Sequence, residues 1–92
     1  MANKFLENVW VLDTAEAVTD EKVRVKALRW YSKSASAGDD ISIEDKNGEK
    51  VWESVATGSN YVEVHDFGPV GYDFEGFELA VIDSGALYVY YV

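Results

Sequence analysis

Apolar and charged residues alternate with a period of two along residues 22–33, the best-patterned stretch of the chain. Basic side chains occupy the even positions up to Lys26, but the apolar residues Leu28 and Trp30 then take the even positions. Because successive side chains of a strand point to opposite faces, this change of parity predicts a β-bulge near Lys26 and Ala27, which returns the apolar residues to one face. The opposite face is then a basic stripe, made of Lys22, Arg24 and Lys26.

Shorter alternating segments predict further strands. Residues 41–44 and 49–56 flank the turn sequence Asp-Lys-Asn-Gly at 45–48, which is typical of a hairpin. In the second strand of this hairpin either Trp52 or the neighbouring valines face the core, and the pattern alone leaves both arrangements open. Another strand is predicted over residues 61–65, where valine alternates with polar residues.

The C-terminal segments 74–82 and 86–92 predict a second hairpin, joined by Asp83, Ser84 and Gly85. A three-residue connection ending in glycine suits a type I turn followed by a left-handed residue. The last strand carries no charge, and apolar surface is costly to leave in water. We therefore expect one of its faces to close the core. The other face, which bears tyrosines, is expected to meet a second subunit or the basic stripe.

The predicted fold class is all-β, a small antiparallel β-sandwich of about six to seven short strands. Residues 5–12 are apolar and residues 13–20 suit a loop or one helical turn. No segment has a sustained helical periodicity, and 92 residues are too few for two independent domains. We assign residues 13–92 to a single sandwich domain and residues 1–12 to an N-terminal arm or a first strand.

The net charge of -9 is unevenly distributed along the chain. All eight Lys and Arg residues lie within positions 1–50, whereas positions 51–92 contain seven acids and neither Lys nor Arg. Nucleic-acid backbones and anionic membranes are bound through Lys and Arg. We therefore predict neither nucleic acid nor membrane as a partner, and expect the acidity to keep the protein soluble.

No assembled chemistry is visible in the sequence. There is no cysteine, and His65 and Asp66 are neighbours on a predicted strand, so their side chains point to opposite faces. An EF-hand built around Gly48 would lack carboxylates at its first and last positions, which leaves only an irregular calcium loop as an alternative. Carboxylates such as Asp73 and Glu75 are expected to be solvated. We predict no catalytic, cofactor-binding or metal-binding residue and no small-molecule substrate, hence no enzyme.

The aromatic content is the exceptional feature, with three Trp, six Tyr and four Phe. Most are expected in the core, because a small domain needs large side chains to bury enough area. However, Tyr88, Tyr90 and Tyr91 include both parities of one strand, so at least one of them faces away from its neighbours. Exposed tyrosines are typical of protein interfaces and of sugar platforms. The candidate interface residues are Trp10, Tyr31, Tyr88, Tyr90 and Tyr91.

Turn and strand motifs between residues 23 and 92 carry a family resemblance. They are Leu28-Arg29-Trp30, Ser34 to Asp39, Ile43 to Gly48, Val51-Trp52-Glu53, Gly58 to Tyr61, and Asp83 to Tyr90. With these motifs the chain resembles the small all-β structural proteins of tailed-bacteriophage and prophage virions. The resemblance implies a non-enzymatic decoration or cement subunit that is made in the host cytoplasm and resides in the virion. It also implies a homo-oligomer, such as a trimer, that contacts other virion proteins.

Two other functions remain as alternatives. A carbohydrate-binding module would stack sugars on exposed Trp or Tyr rings. An acidic phage-encoded inhibitor would imitate nucleic acid with residues 51–92 and occupy the basic groove of a host protein.

Overall fold

The computed structural model describes residues 3–92, so residues 1 and 2 of the predicted N-terminal arm lie outside the described residues. The described residues form eight β-strands and contain no helix that could cross a membrane. The strands are β1 Lys4–Leu6, β2 Val9–Leu12, β3 Glu16–Ser32, β4 Asp40–Glu44, β5 Lys50–Val55, β6 Tyr61–Asp66, β7 Tyr72–Ile82 and β8 Ala86–Tyr91. Each strand pairing is antiparallel. The predicted all-β antiparallel class is therefore confirmed, with one more strand than the upper end of the predicted number.

The long strand β3 organises the sheet. The first part of β3 pairs with β7, and its last part pairs with β8 and β6. Val25 pairs with both Tyr72 of β7 and Tyr91 of β8, so these two strands lie on opposite edges of β3. Residues from Ala27 onward pair with both β6 and β8, so β6 and β7 share one edge of β3 and follow each other along it. The full order is β1-β2-β8-β3-β7-β4-β5, with β6 beside β3.

The sheet folds over on itself into two layers. Trp10 of β2 and Phe77 of β7 have ring centroids 5.4 Å apart, although β8 and β3 separate these strands in the sheet. Three strand spacings in a flat sheet would span about 14 Å. One layer therefore contains β1, β2, β8, β6 and the last part of β3, and the other contains β5, β4, β7 and the first part of β3. The layers also meet where Ser54 Oγ of β5 donates a 3.2 Å hydrogen bond to Glu63 Oε1 of β6.

The space between the layers is filled by apolar side chains from both. The fully buried ones include Leu12, Val25, Leu28, Trp30, Ile41, Ile43, Leu79, Leu87 and Val89, with Phe74 and Phe77 at 1% exposure. No buried side-chain nitrogen or oxygen among the described residues lacks a hydrogen-bond partner. The core is thus apolar and its few polar atoms are satisfied.

The predicted bulge in β3 is confirmed. Val25 pairs with Tyr91 and Ala27 pairs with Tyr90, so Lys26 is an extra residue on β3 relative to β8. Beyond it, Leu28 and Trp30 are completely buried on the same face as Val25. One inserted residue reverses the facing of all later side chains, which is why the parity of the sequence changes there.

The predicted C-terminal hairpin is wrong. Strands β7 and β8 occupy nearly the expected residues, but β8 pairs with β2 and β3, whereas β7 pairs with β3 and β4. Residues 83–85 therefore carry the chain from one layer to the other. Gly85 does adopt the expected left-handed conformation, with φ of +76°. A turn signal specifies the local backbone, whereas the choice of pairing partner depends on which apolar faces can be buried together.

Two other segments refine the sequence interpretation. The hairpin β4–β5 is confirmed, with Ile41 opposite Ser54 and a register shift after Ile43. Both Trp52 and Val51 pack partly buried against the core, so neither side of β5 is fully outward. Residues 16–20 belong to β3 rather than to a loop or helical turn. The register shifts between Ala17 and Lys22 explain why no regular alternation is visible there.

Candidate interaction surface

The outer side of the layer formed by β1, β2, β8, β3 and β6 is defined by its cross-strand register. Residues directly opposite each other in antiparallel strands point to the same face. The rows on this face are Lys4, Val11, Tyr88, Arg29 and Val64; then Leu6, Val9, Tyr90, Ala27 and Asp66; then Ala86, Tyr31 and Val62. We call this set the tyrosine face. It is apolar or aromatic except for two basic residues and one acid.

Large apolar side chains on the tyrosine face are open to solvent. The exposed fraction is 57% for Val64, 52% for Leu6 and 47% for Val62, and the rings of Tyr90 and Tyr31 are 38% and 36% exposed. An exposed apolar patch of this kind makes the face a candidate interaction surface.

The side chains of strand β6 face the opposite way from those of an ordinary surface strand. Its valines face outward, whereas Tyr61 and Glu63 point toward the interior, where Tyr61 packs edge-on against Trp30 at 5.5 Å. Tyr61 Oη donates a 2.8 Å hydrogen bond to Glu63 Oε1, which also satisfies the half-buried carboxylate. The polar side of the strand is thus used inside the protein, and the apolar side is left on the tyrosine face.

The guanidinium of Arg29 lies in the middle of the tyrosine face between two rings. Its central carbon is 5.6 Å from the ring centroid of Tyr31 and 5.4 Å from that of Tyr88. Cation–π contacts of this kind hold the planar guanidinium against the sheet. Among residues 3–92 no carboxylate lies within ion-pair distance of Arg29. The positive charge is therefore positioned by aromatic contacts and remains available to a partner.

The outer side of the second layer carries ion pairs between β3 and β7. Lys22 pairs with Glu75 at 3.6 Å, and Arg24 Nε donates to Asp73 Oδ1 at 2.8 Å. The Arg24 hydrogen bond and positive charge lower the pKa of Asp73, and Asp73 raises the pKa of Arg24 in return. These are cross-strand neighbours of β3 and β7, so both pairs are formed within one chain.

Of the two contacts expected for the tyrosines of β8, a second subunit or the basic stripe, the contact with the basic stripe is therefore wrong. Lys22 and Arg24 meet the carboxylates of β7, and Lys26 Nζ donates to the carbonyl oxygen of Pro69 at 2.7 Å. The reason is register, because β7 places an acid directly opposite each of the first two basic residues. The sequence contains both halves of these ion pairs, but their alignment requires the β3–β7 pairing.

The structure divides the candidate interface residues between two faces. Tyr31, Tyr88 and Tyr90 lie together on the tyrosine face. Trp10 is only 9% exposed and packs against Tyr91, with ring centroids 4.7 Å apart. Those two residues are on the core side of β2 and β8, so the indole of Trp10 has little surface left for another protein.

Sequence reasoning missed the contribution of Arg29, Val62 and Val64. The alternation in residues 61–66 was visible, but it favours placing valines inward, which is the opposite of their position. Only the unusual combination of an inward Tyr61 and Glu63 with outward valines reveals the patch. Leu6 was also not singled out, because the apolar residues 5–12 read as one segment, whereas the structure has two paired strands there. Strands β1 and β2 form a hairpin around Asn8, whose φ is +68°.

A shallow hollow of about 410 Å³ adjoins the tyrosine face. Its lining includes Tyr31 and Ala86 from that face, together with Asp13, Lys33, Ser34 and Gly85. Elsewhere, His65 is exposed and packs its ring 4.5 Å from that of Phe67. Within residues 3–92 there is no group of three or more His, Asp or Glu side chains placed to hold a metal ion.

No protein-family model, curated protein or solved structure matches the chain.

Proposed function

We propose that this chain is a non-enzymatic structural subunit of a bacteriophage virion, a capsid decoration or stabilising protein that acts by burying its tyrosine face against other subunits. The observation that supports the proposal is the asymmetry between its two outer faces. On one face, the charges of Lys22 and Arg24 are paired within the chain with those of Glu75 and Asp73. The other exposes valines, a leucine and tyrosines over several adjacent strands.

The position of the charge also supports an assembly role. A net charge of -9 keeps separate copies apart in solution, whereas the tyrosine face carries Asp66 as its single acid. Interfaces are depleted in acids and enriched in Tyr and Arg, and Tyr31, Tyr88, Tyr90 and Arg29 supply that composition. The face is thus the part of the surface on which association meets the least electrostatic repulsion.

The direct test is mass spectrometry of purified virions from the phage or prophage that encodes the chain. We expect this polypeptide in stoichiometric amounts with the other virion proteins. Its absence from purified particles would overturn the proposal.

A matched pair of variants tests whether the tyrosine face mediates attachment. Val64→Ser should reduce the amount of purified chain that co-sediments with virions prepared without this polypeptide. Val81→Ser provides the control, because Val81 is 39% exposed but lies on β7, outside the tyrosine face. Equal binding of both variants to particles would assign attachment to another surface.

A carbohydrate-binding function is the second candidate. It is supported by Tyr31, a partly exposed ring beside both the Arg29 guanidinium and the 410 Å³ hollow. Aromatic rings next to polar groups can hold a sugar by stacking and hydrogen bonding. Glycan-array binding that is lost in Tyr31→Ala would favour this function, and an array without signal would remove it.

The structure offers less support for an acidic inhibitor that imitates nucleic acid. Such a protein needs uncompensated carboxylates that face a basic groove. Three of the seven acids in residues 51–92, Glu53, Asp73 and Glu75, are already ion-paired with Lys50, Arg24 and Lys22.

A further inference from the structure

We propose that the tyrosine face binds a second copy of this chain, in a two-fold dimer in which Arg29 of each copy meets Asp66 of the other. The inference rests on the proposed function only in taking the tyrosine face to be an assembly surface. It names the occupant of that surface and the symmetry of the contact.

The first argument is that the tyrosine face is complementary to itself. It holds the cation Arg29 on β3 and the anion Asp66 at its β6 edge, and neither lies within ion-pair distance of an opposite charge among the described residues. The carboxylate of Asp66 accepts a 2.8 Å hydrogen bond from the backbone N–H of Gly68, which orients it. A partner for this face needs an anion opposite Arg29 and a cation opposite Asp66, and a second copy presents both on an apolar background.

The second argument is the spacing of the two charges. Arg29 is opposite Val64 and Asp66 is opposite Ala27, so the charges lie on adjacent strands, two residues apart along the strand direction. Strand spacing and rise place their Cα atoms about 8 Å apart. A two-fold axis lying in the interface between these positions places Arg29 of each copy opposite Asp66 of the other. Such isologous contacts are the commonest arrangement in homo-oligomers.

The third argument is the available area. Two residue rows cross five adjacent strands and the third crosses only β8, β3 and β6, so the face spans at most about 24 Å by 20 Å. These lengths are comparable to the two smaller dimensions of the molecule, 26 Å and 23 Å. Because the third row is shorter and the two-fold axis lies toward the β6 edge, two copies bury less than about 1,000 Å² in projection, in the range of weak, transient interfaces. The dimer is therefore expected to be weak and reversible.

The test uses charge reversal and sedimentation velocity of the full chain. Arg29→Glu and Asp66→Lys should each weaken self-association at least tenfold, because each variant dimer places like charges opposite each other twice. An equimolar mixture of the two variants should dimerise, because the introduced glutamate of one chain then faces the introduced lysine of the other, and the native Arg29 faces the native Asp66. The chain carrying both reversals should dimerise by itself, because each of its introduced charges then faces the opposite introduced charge of its partner.

Controls separate the charge effect from misfolding and from total charge. Lys50→Glu and Glu53→Lys reverse charges of an exposed ion pair on β5, and both should retain wild-type association. Thermal unfolding of each variant checks that it is folded. If either reversal fails to fold, the neutral variants Arg29→Gln and Asp66→Asn replace it. These variants should also weaken dimerisation, and mixing them should restore it in part, because one native Arg29–Asp66 contact re-forms in the mixed dimer.

The outcomes distinguish the dimer from the proposed function. A wild-type chain that is monomeric at several hundred micromolar, a trimeric mass, or variants that dimerise like the wild type would each overturn the two-fold contact. If Val64→Ser still lowers particle attachment in that case, the tyrosine face binds another virion protein and the proposed function stands. If the dimer forms as described but virions lack the polypeptide, the proposed function fails and the dimer stands.

Discussion

The rings of Trp10 and Tyr91 lie 4.7 Å apart between centroids, with their planes tilted by 36°. Tyr91 Oη also donates a 3.1 Å hydrogen bond to the carbonyl oxygen of Leu6. Strand β8 is thus fastened to the N-terminal hairpin by its core-facing side, while Tyr88 and Tyr90 on the same strand face outward. The two sides of β8 therefore have different roles, which substitutions can separate.

Trp10→Ala should strongly destabilise the fold. The indole is nearly buried and contacts Phe77 of the opposite layer as well as Tyr91, so its loss should lower the free energy of unfolding by about 3–5 kcal/mol. Phe5→Ala is the matched control, because Phe5 touches Trp10 edge-on but is 52% exposed. Urea unfolding followed by circular dichroism measures both. Equal losses would contradict the assignment of Trp10 as the contact that joins the layers.

Tyr90→Ala and Tyr91→Ala should differ in kind. Removing Tyr91 deletes a half-buried ring and should lower the melting temperature, whereas removing Tyr90 should change the free energy of unfolding by only about 0.5 kcal/mol. Tyr90→Ala should instead weaken self-association. Differential scanning calorimetry and sedimentation velocity give the two readouts. An equal fall in melting temperature with unchanged oligomer mass would show that both sides of the strand are merely packing surfaces.

Gly85→Ala should disrupt the crossing between the layers. A methyl group there would meet the carbonyl oxygen of Tyr31 and approach Cβ of Ser32 at 2.6 Å, and overpacking of this kind costs about 1–3 kcal/mol. Gly48→Ala is the control, since its φ of +81° is similar but its Cβ would have nothing within 4 Å. The free energy of unfolding of Gly48→Ala should fall by only about 1 kcal/mol, the cost of a left-handed backbone for a residue with a Cβ atom. Chemical denaturation should rank the two, and a larger loss for Gly48→Ala would refute the steric argument.

Ser84 and Ser32 should be energetically coupled. The fully buried Ser32 hydroxyl donates a 2.7 Å hydrogen bond to Ser84 Oγ, which donates in turn to Asp39 Oδ2 at 2.8 Å. Ser84→Ala leaves the Ser32 hydroxyl buried without its acceptor, which should cost about 1–3 kcal/mol. In the Ser32→Ala background the same substitution should cost less. A double-mutant cycle measured by urea unfolding gives the coupling, and strict additivity would contradict it.

Acid should destabilise the fold through Asp39 and Asp73. Hydrogen bonds from the backbone N–H of Ser36 and the hydroxyl of Ser84 lower the pKa of Asp39, and the hydrogen bond from Arg24 lowers that of Asp73. A carboxyl whose pKa is lower in the folded state stabilises the fold above its unfolded pKa of about 3.9. That stabilisation is lost as the pH falls from about 4 through the folded value.

Melting temperatures between pH 7 and pH 2 test this expectation. Asp39→Asn should flatten the acid limb of the profile relative to the wild type. Asp20→Asn controls for the loss of one negative charge, because Asp20 is exposed and forms no hydrogen bond or ion pair among the described residues. An unchanged acid limb in Asp39→Asn would show that this carboxylate does not contribute.

The candidate site shows which of its residues the local sequence pattern can predict. Tyr31, Tyr88 and Tyr90 were identified by type and parity, and they do share one face. Arg29, Val62 and Val64 were not, because their role depends on β6 pairing with β3 so that its valines point outward. Alternation predicts which residues of a strand share one face. It does not state which side faces the core.

The sequence by itself determined most strands from residue 22 onward, the β4–β5 hairpin and the bulge at Lys26, since each depends on neighbours within a few residues. Only the tertiary structure decided that β8 pairs with β2 and β3 instead of β7, and that Lys22 and Arg24 meet Glu75 and Asp73. These pairings join residues far apart in the chain. They are selected by how much apolar surface the two layers bury together, which is a property of the whole fold and of no single segment.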